Sequence, residues 1–192
     1  MINPDLPRLL LASASPRRAE LLRAAGMSFD IQPANADESV HPGEEPAAYV
    51  QRVAEAKARV VLPRAGARVV LAADTTVVVD GDIFGKPQNE QDAARMLRAL
   101  RGRRHQVMTG VTLAAAARVM TRVETTAVEF APLSQDEIDW YVASGEPVDR
   151  AGAYAVQGLA SRFVTRVEGS YSNVVGLPIS LVYDMLREFA IP

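Results

Sequence analysis

Ser13-Ala14-Ser15-Pro16-Arg17-Arg18 puts two hydroxyls and two guanidinium groups within six residues, directly after the apolar run Leu9-Leu10-Leu11-Ala12. The run reads as a short buried strand. Ser15 reads as an N-cap and Pro16 as the first helical position of a helix that stops at Gly26. A helix start offers free N–H groups and partial positive charge, so these side chains could cradle a phosphate. The same residues also fit a plainly capped helix with solvated arginines.

Acids and a second pair of cations complete the reactive set. Glu38 lies in a polar loop spanning 33–45, and Asp74 stands at the centre of the β-rich run Val69–Val79. A carboxylate among such apolar flanks needs a partner. Either Thr75 or Thr76 satisfies Asp74 inside a core, or the aspartate sits where the strand breaks or opens into a cleft. All but two of the 21 basic residues are arginine, the exceptions being Lys57 and Lys86. A chain so rich in arginine points to its two lysines as places where a compact, rotatable ammonium is wanted. Lys57 falls on the apolar face of an expected helix, where it must snorkel, pair with an acid or meet a ligand. Carboxylates facing arginines and lysines suit phosphate chemistry, with a divalent metal between carboxylate and phosphate oxygens.

Several other chemistries are excluded. The chain has no cysteine, hence no disulfide framework and no thiolate zinc site. His41 and His105 show no metal-ligand spacing, and there is no G-x-S-x-G elbow. The stretch from Gly81 to Pro87 is not a Walker A loop, because its glycines are one residue too close and Pro87 replaces the magnesium-binding hydroxyl. A net charge of −2 argues against broad nucleic-acid contact. No apolar run reaches the roughly 18 residues of a membrane span, and no signal peptide is recognisable, so a soluble cytoplasmic protein is expected.

The elements that must position these groups alternate between strand and helix, which predicts an α/β layered fold in one domain, 1–192. A short strand is expected at Phe29–Gln32. A helix should run from Pro46 to just before Pro63, with Val50, Val53, Ala54, Val60 and Val61 inward. Val69–Val79 should be a strand, Asp80-Gly81 a hairpin turn, and 90–100 a helix capped by Asn89 and stopped by Gly102. His105–Leu113 and Val119–Phe130 read as antiparallel strands, with Ala114–Ala117 turning between them against their helical propensity. Ser134 and Glu137 form a capping box for a helix ending near Gly145, its Trp140 packed in the core. Arg150–Gly158 is glycine-rich and irregular, Ser161–Val167 a strand, Gly169–Pro178 a loop with a short turn, and Ile179–Phe189 the last helix.

Six ordered segments carry a resemblance: Ser13–Arg18, Ala73-Asp74-Thr75, Gly85-Lys86-Pro87, His105–Gly110, Ala151–Gly158 and Gly169–Pro178. With them the chain resembles the Maf-type nucleoside triphosphate pyrophosphatases, in the subgroup acting on dTTP and UTP. The resemblance implies a mixed, elongated central sheet flanked by helices, with two lobes around a cleft, as in the related inosine triphosphate pyrophosphatases. It implies hydrolysis between the α- and β-phosphates with Mg2+ or Mn2+. Asp74 would accept the proton of the attacking water. Glu38 would assist metal or water, both acids being candidate metal ligands, and Lys57 and Lys86 would add positive charge. Ser13, Arg17 and Arg18 would hold the phosphate tail, while Arg17, Thr75 and Gln157 would bear on base choice. A homodimer is also implied.

Gln157 makes chemical sense in that role, because its amide offers both a donor and an acceptor to the imide edge of thymine or uracil. Bonding to its own backbone in a loop is the plainer alternative. Two other functions compete: the same reaction on a modified purine nucleotide such as 7-methyl-GTP, and a non-enzymatic cell-division regulator that binds nucleotide or nucleic acid.

Overall fold

The computed structural model describes residues 7–116 and 118–189. The ends of the expected 1–192 domain, and Ala117 of the expected hairpin, lie outside the described residues. Seven strands form one mixed sheet: β1 (Leu9–Leu11), β2 (Phe29–Ile31), β3 (Val69–Val79), β4 (Asp82–Phe84), β5 (Arg104–Ala115), β6 (Arg118–Phe130) and β7 (Val164–Glu168). Their order is β2-β1-β3-β5-β6-β7, with β4 also on β3. The β1 pairings are parallel and the rest antiparallel.

Helices α1 (Pro16–Ala24), α2 (Pro46–Val61), α3 (Glu90–Leu100), α4 (Gln135–Ala143), α5 (Tyr171–Val175) and α6 (Ile179–Phe189) flank the sheet. Strand β3 organises the packing because its side chains alternate between faces. Val69, Leu71 and Ala73 join a cluster with Leu22 of α1 and Met185 of α6. Val70 and Ala72 face Ala58 and Val61 of α2. Farther along, Val77 and Val79 enter a separate cluster with Leu97 of α3 and Tyr141 of α4. The apolar interior is thus divided into two lobes along one strand.

One register relationship creates the opening between the lobes. Strand β5 occupies one edge of β3 from Val70 to Val78. On the other edge β1 pairs only with Val69–Leu71, and β4 only with Val77–Val79. The intervening stretch, which includes Asp74, has an open edge. The strand does not break at the aspartate; its neighbour does.

The expected caps on α3 and α4 are present, Asn89 accepting from the Asp92 N–H and Ser134 sharing a full capping box with Glu137. Four expectations need correction. Ser15 occupies the N-cap position of α1, but its side chain makes no capping hydrogen bond. Val60 lies at the rim of the α2 stripe and is exposed. Trp140 is not core: it is 43% exposed, with the Arg162 guanidinium 4.3 Å above its ring. The strand expected from Ser161 begins at Val164, because Leu159–Arg162 form a 3-10 turn. The Glu146 carboxylate stabilises that turn by accepting the Leu159 and Ala160 N–H groups at 2.9 and 3.2 Å.

Candidate active site

The gap in the sheet is the floor of a cleft of about 690 Å³, within the usual range for a small-ligand site. Its lining includes every residue singled out from sequence: Ser13, Arg17, Arg18, Glu38, Lys57, Asp74, Thr75, Lys86 and Gln157. Five cations and three carboxylates face it, so the cleft is basic within an acidic chain.

Lys57 and Asp74 meet across two elements. Gly110 on β5 pairs with Asp74 on β3. A Cβ at Gly110 would lie 2.2 Å from the Val50 carbonyl oxygen, so the bare glycine lets α2 press its backbone onto the sheet. Two turns along that helix, Lys57 reaches Asp74, with Nζ 2.7 Å from Oδ1. The same ammonium lies 3.0 Å from Glu38 Oε1. Lys57 is therefore paired rather than snorkelling, and Asp74 is satisfied by lysine rather than by threonine. Among the described residues Asp74 Oδ2 takes no hydrogen bond. The Glu38 loop is fixed by the Tyr49 hydroxyl, which donates to the Glu38 carbonyl at 3.0 Å. Burial and the nearby Asp74 and Glu38 charges push the Tyr49 phenol well above its usual range.

Arg17 and Arg18 are neighbours with different surroundings. Arg18 is buried and donates to Gly176 O, Ser13 Oγ, Ala73 O and Thr75 Oγ1 at 2.8–3.1 Å. It thereby satisfies a backbone carbonyl on the open edge of β3 and ties α1 to the turn before α6. Of its five N–H groups, one is left without a hydrogen bond among the described residues. Burial lowers its pKa, opposed by the charges of Asp74 and Glu38. Ser13 Oγ, besides accepting from Arg18, accepts from the Ser15 N–H at 3.2 Å and so braces the corner that was expected to use Ser15 itself. Arg17 reaches across the cleft mouth to donate to the Asp149 carbonyl at 3.0 Å. Lys86, largely exposed, pairs with the Asp149 carboxylate at 2.5 Å.

Thr75 and Gln157 differ as well. Thr75 Oγ1 lies 2.9 Å from Thr109 Oγ1 and 3.2 Å from Gly176 O, locked among protein groups. Gln157 is exposed at the rim, and its amide makes no hydrogen bond among the described residues. The loop-backbone alternative is thus absent from this structure.

Sequence reasoning missed Tyr49, Asp149, Arg150 and Tyr154, all of which line the cleft. Asp149 had one usable signal, its place directly before the irregular glycine-rich segment. Its left-handed φ of 64° turns the chain there. Tyr154 is held at the back by His105, whose Nε2 lies 2.9 Å from the phenolic oxygen. Burial pushes the His105 pKa down to about 4, so the ring is neutral at pH 7.

The donor set fits a hard divalent cation only in part. No group of three or more His, Cys, Asp or Glu suited to a metal occurs among the described residues. Two carboxylates, Asp74 and Glu38, share one ammonium. Mg2+ commonly takes one or two carboxylates and completes its shell with substrate phosphates and water. The pair suits a cation that arrives with a phosphate chain.

Fold and cleft together define an α/β protein with a basic cleft of small-ligand size, floored by lysine-braced carboxylates. The model of the family described as Maf-like protein matches residues 8–189, and the chain belongs to that family. It is 53% identical over 190 residues to the dTTP/UTP pyrophosphatase of Anaeromyxobacter sp. (strain Fw109-5), covering 96% of this chain and 91% of that one. It is 50% identical over 192 residues to the dTTP/UTP pyrophosphatase of Hahella chejuensis, covering 98% and 96%. Among solved structures, the Staphylococcus aureus Ham1 protein superimposes with a TM-score of 0.55 at 15% identity, covering 95% of this chain and 99% of that one. That likeness shows a shared fold.

Proposed function

We propose that this chain hydrolyses dTTP and UTP between the α- and β-phosphates, giving the nucleoside monophosphate and pyrophosphate. The observation that carries the reading is the buried Lys57–Asp74 pair at the gap in the sheet, facing a basic cleft in a chain about half identical to dTTP/UTP pyrophosphatases. Asp74 Oδ2 is free to orient and deprotonate a water aimed at the α-phosphorus. Lys57 holds Asp74 in place through Oδ1 and offsets the charge that builds on the phosphate oxygens. Arg17, Lys86 and the remaining Arg18 N–H hold the departing pyrophosphate. Gln157 matches the imide edge of the base, which cytosine lacks; the wrong base leaves a donor or acceptor of the amide unmatched, which disfavours that nucleotide.

A divalent cation, Mg2+ or Mn2+, held by Asp74 and Glu38 would supply Lewis-acid neutralisation at the phosphate oxygens. Among the described residues no helix is long and apolar enough to cross a membrane. The reading places the chain in the cytoplasm, as a homodimer, working on free nucleotides rather than nucleic acid; the net charge of −2 supports the last point.

The test is a panel of nucleoside triphosphates, including 7-methyl-GTP, with and without Mg2+ or Mn2+, read as pyrophosphate release. Preferential turnover of dTTP and UTP is expected. Equal turnover of purines and pyrimidines overturns the base assignment, and no turnover of any nucleotide overturns the reaction.

A further inference from the structure

Arg150 differs from every other cation in the cleft. Arg18 is bonded to four acceptors, Lys57 to two carboxylates, Lys86 to Asp149, and Arg17 to a carbonyl. Arg150 also lines the cleft and is half-buried, yet its Nε is buried with no hydrogen-bond partner. Among the described residues its guanidinium makes neither a hydrogen bond nor an ion pair. An arginine stays charged throughout the working pH range, and a buried donor left unmade is costly. Nε itself is closed off, so the donors open to an acceptor that arrives with a ligand are the two terminal nitrogens, which are likewise unbonded among the described residues.

Its position says which part of the ligand. Asp149, the preceding residue, is where Arg17 from α1 and Lys86 from beyond β4 converge. The turn that carries Arg150 is pinned beside Lys86, because the Gly152 N–H donates to the Gly85 carbonyl at 3.0 Å. Gly152 has a left-handed φ of 65°, and a Cβ there would lie 2.6 Å from Val77 Cγ2, so this turn is seated hard against β3. Arg150 therefore belongs to the group of cations at the Arg17–Lys86 end of the cleft. Its planar fork matches two oxygens of a phosphate.

We propose that Arg150 is a substrate-binding residue that grips the β- and γ-phosphates and, after cleavage, the pyrophosphate. This rests on the reading of the cleft as a nucleoside triphosphate site, and it adds to the residues already placed there.

The test is titration calorimetry of the wild-type protein, Arg150→Ala and Arg150→Lys with inorganic pyrophosphate and, separately, with dTMP, alongside thermal melts. Arg150→Ala should weaken pyrophosphate binding by about tenfold to a hundredfold. It should leave dTMP affinity unchanged and Tm no lower than wild type. Arg150→Lys should recover part of the pyrophosphate affinity. The proposal is overturned if pyrophosphate binding is unchanged in Arg150→Ala, if dTMP weakens in parallel, or if Tm falls. Because these readouts need no turnover, the two readings fail separately. Arg150-dependent pyrophosphate binding in a protein that hydrolyses no nucleotide removes the proposed reaction alone. Normal dTTP turnover with Arg150-independent pyrophosphate binding removes the Arg150 assignment alone.

Discussion

Lys57 and Asp74 form a buried ion pair of 2.7 Å between the middle of α2 and the middle of β3. The contact depends on a residue in neither element, Gly110, which admits the helix backbone onto the sheet directly beside the aspartate. Both charges would be costly in the interior alone; together, and with Glu38 as a third partner, they leave one carboxylate oxygen facing the cleft.

Replacing Asp74 with Asn should keep the shape and an acceptor for Lys57 while removing the proton acceptor. Turnover should fall by about two to four orders of magnitude, with far-UV circular dichroism unchanged. Retained pyrophosphate release in the variant would take Asp74 out of the chemistry.

Replacing Lys57 with Met should act on stability as well. It leaves Asp74 buried without its cation, a change that commonly costs about 3–5 kcal/mol. Denaturant melts should show the loss, and Lys57→Met combined with Asp74→Asn should be more stable than Lys57→Met alone.

The two adjacent arginines should separate. Arg18→Ala removes four hydrogen bonds, leaves the Ala73 carbonyl unpaired and leaves the Gly176 carbonyl with the Thr75 hydroxyl alone, so a stability loss on the order of 3 kcal/mol is expected. Arg17→Ala should leave Tm nearly unchanged and raise KM for dTTP by about tenfold. Equal melts for the two variants would contradict the different surroundings of the side chains.

His105 sets a pH window. Its folded pKa, near 4 through burial, lies below the ordinary value of 6.5. The unfolded chain therefore binds the extra proton first as pH falls. The contribution of His105 to stability is complete above about pH 6.5 and is lost progressively toward pH 4, by up to about 3 kcal/mol. Melts across this range should show the slope, and His105→Phe should flatten it.

Much of the charged lining of the cleft was legible in the sequence. Asp74 announced itself as a charge in an apolar strand, and Lys57 as a charge on an apolar helix face. Local rules settled α3 and α4, whose caps involve residues three apart in sequence. They failed where a distant partner decided the outcome. The carboxylate of Glu146 turns Leu159–Arg162 into a 3-10 segment, and Arg162 covers the ring of Trp140. Ser13, held by Arg18, braces the corner assigned to Ser15.

The sequence by itself determined which groups are present and, apart from the short β4 and α5, the order of strands and helices, because periodicity, capping and turn chemistry act over a few residues. Tertiary structure decided which charges meet. It showed that the cleft comes from a missing neighbour along β3 rather than from a break in it, that Arg18 braces while Arg17 reaches, and that the Arg150 guanidinium is unpaired among the described residues. Pairings between residues tens of positions apart depend on sheet register and on the close approach of a helix at one glycine, and neither is encoded in any local stretch of chain.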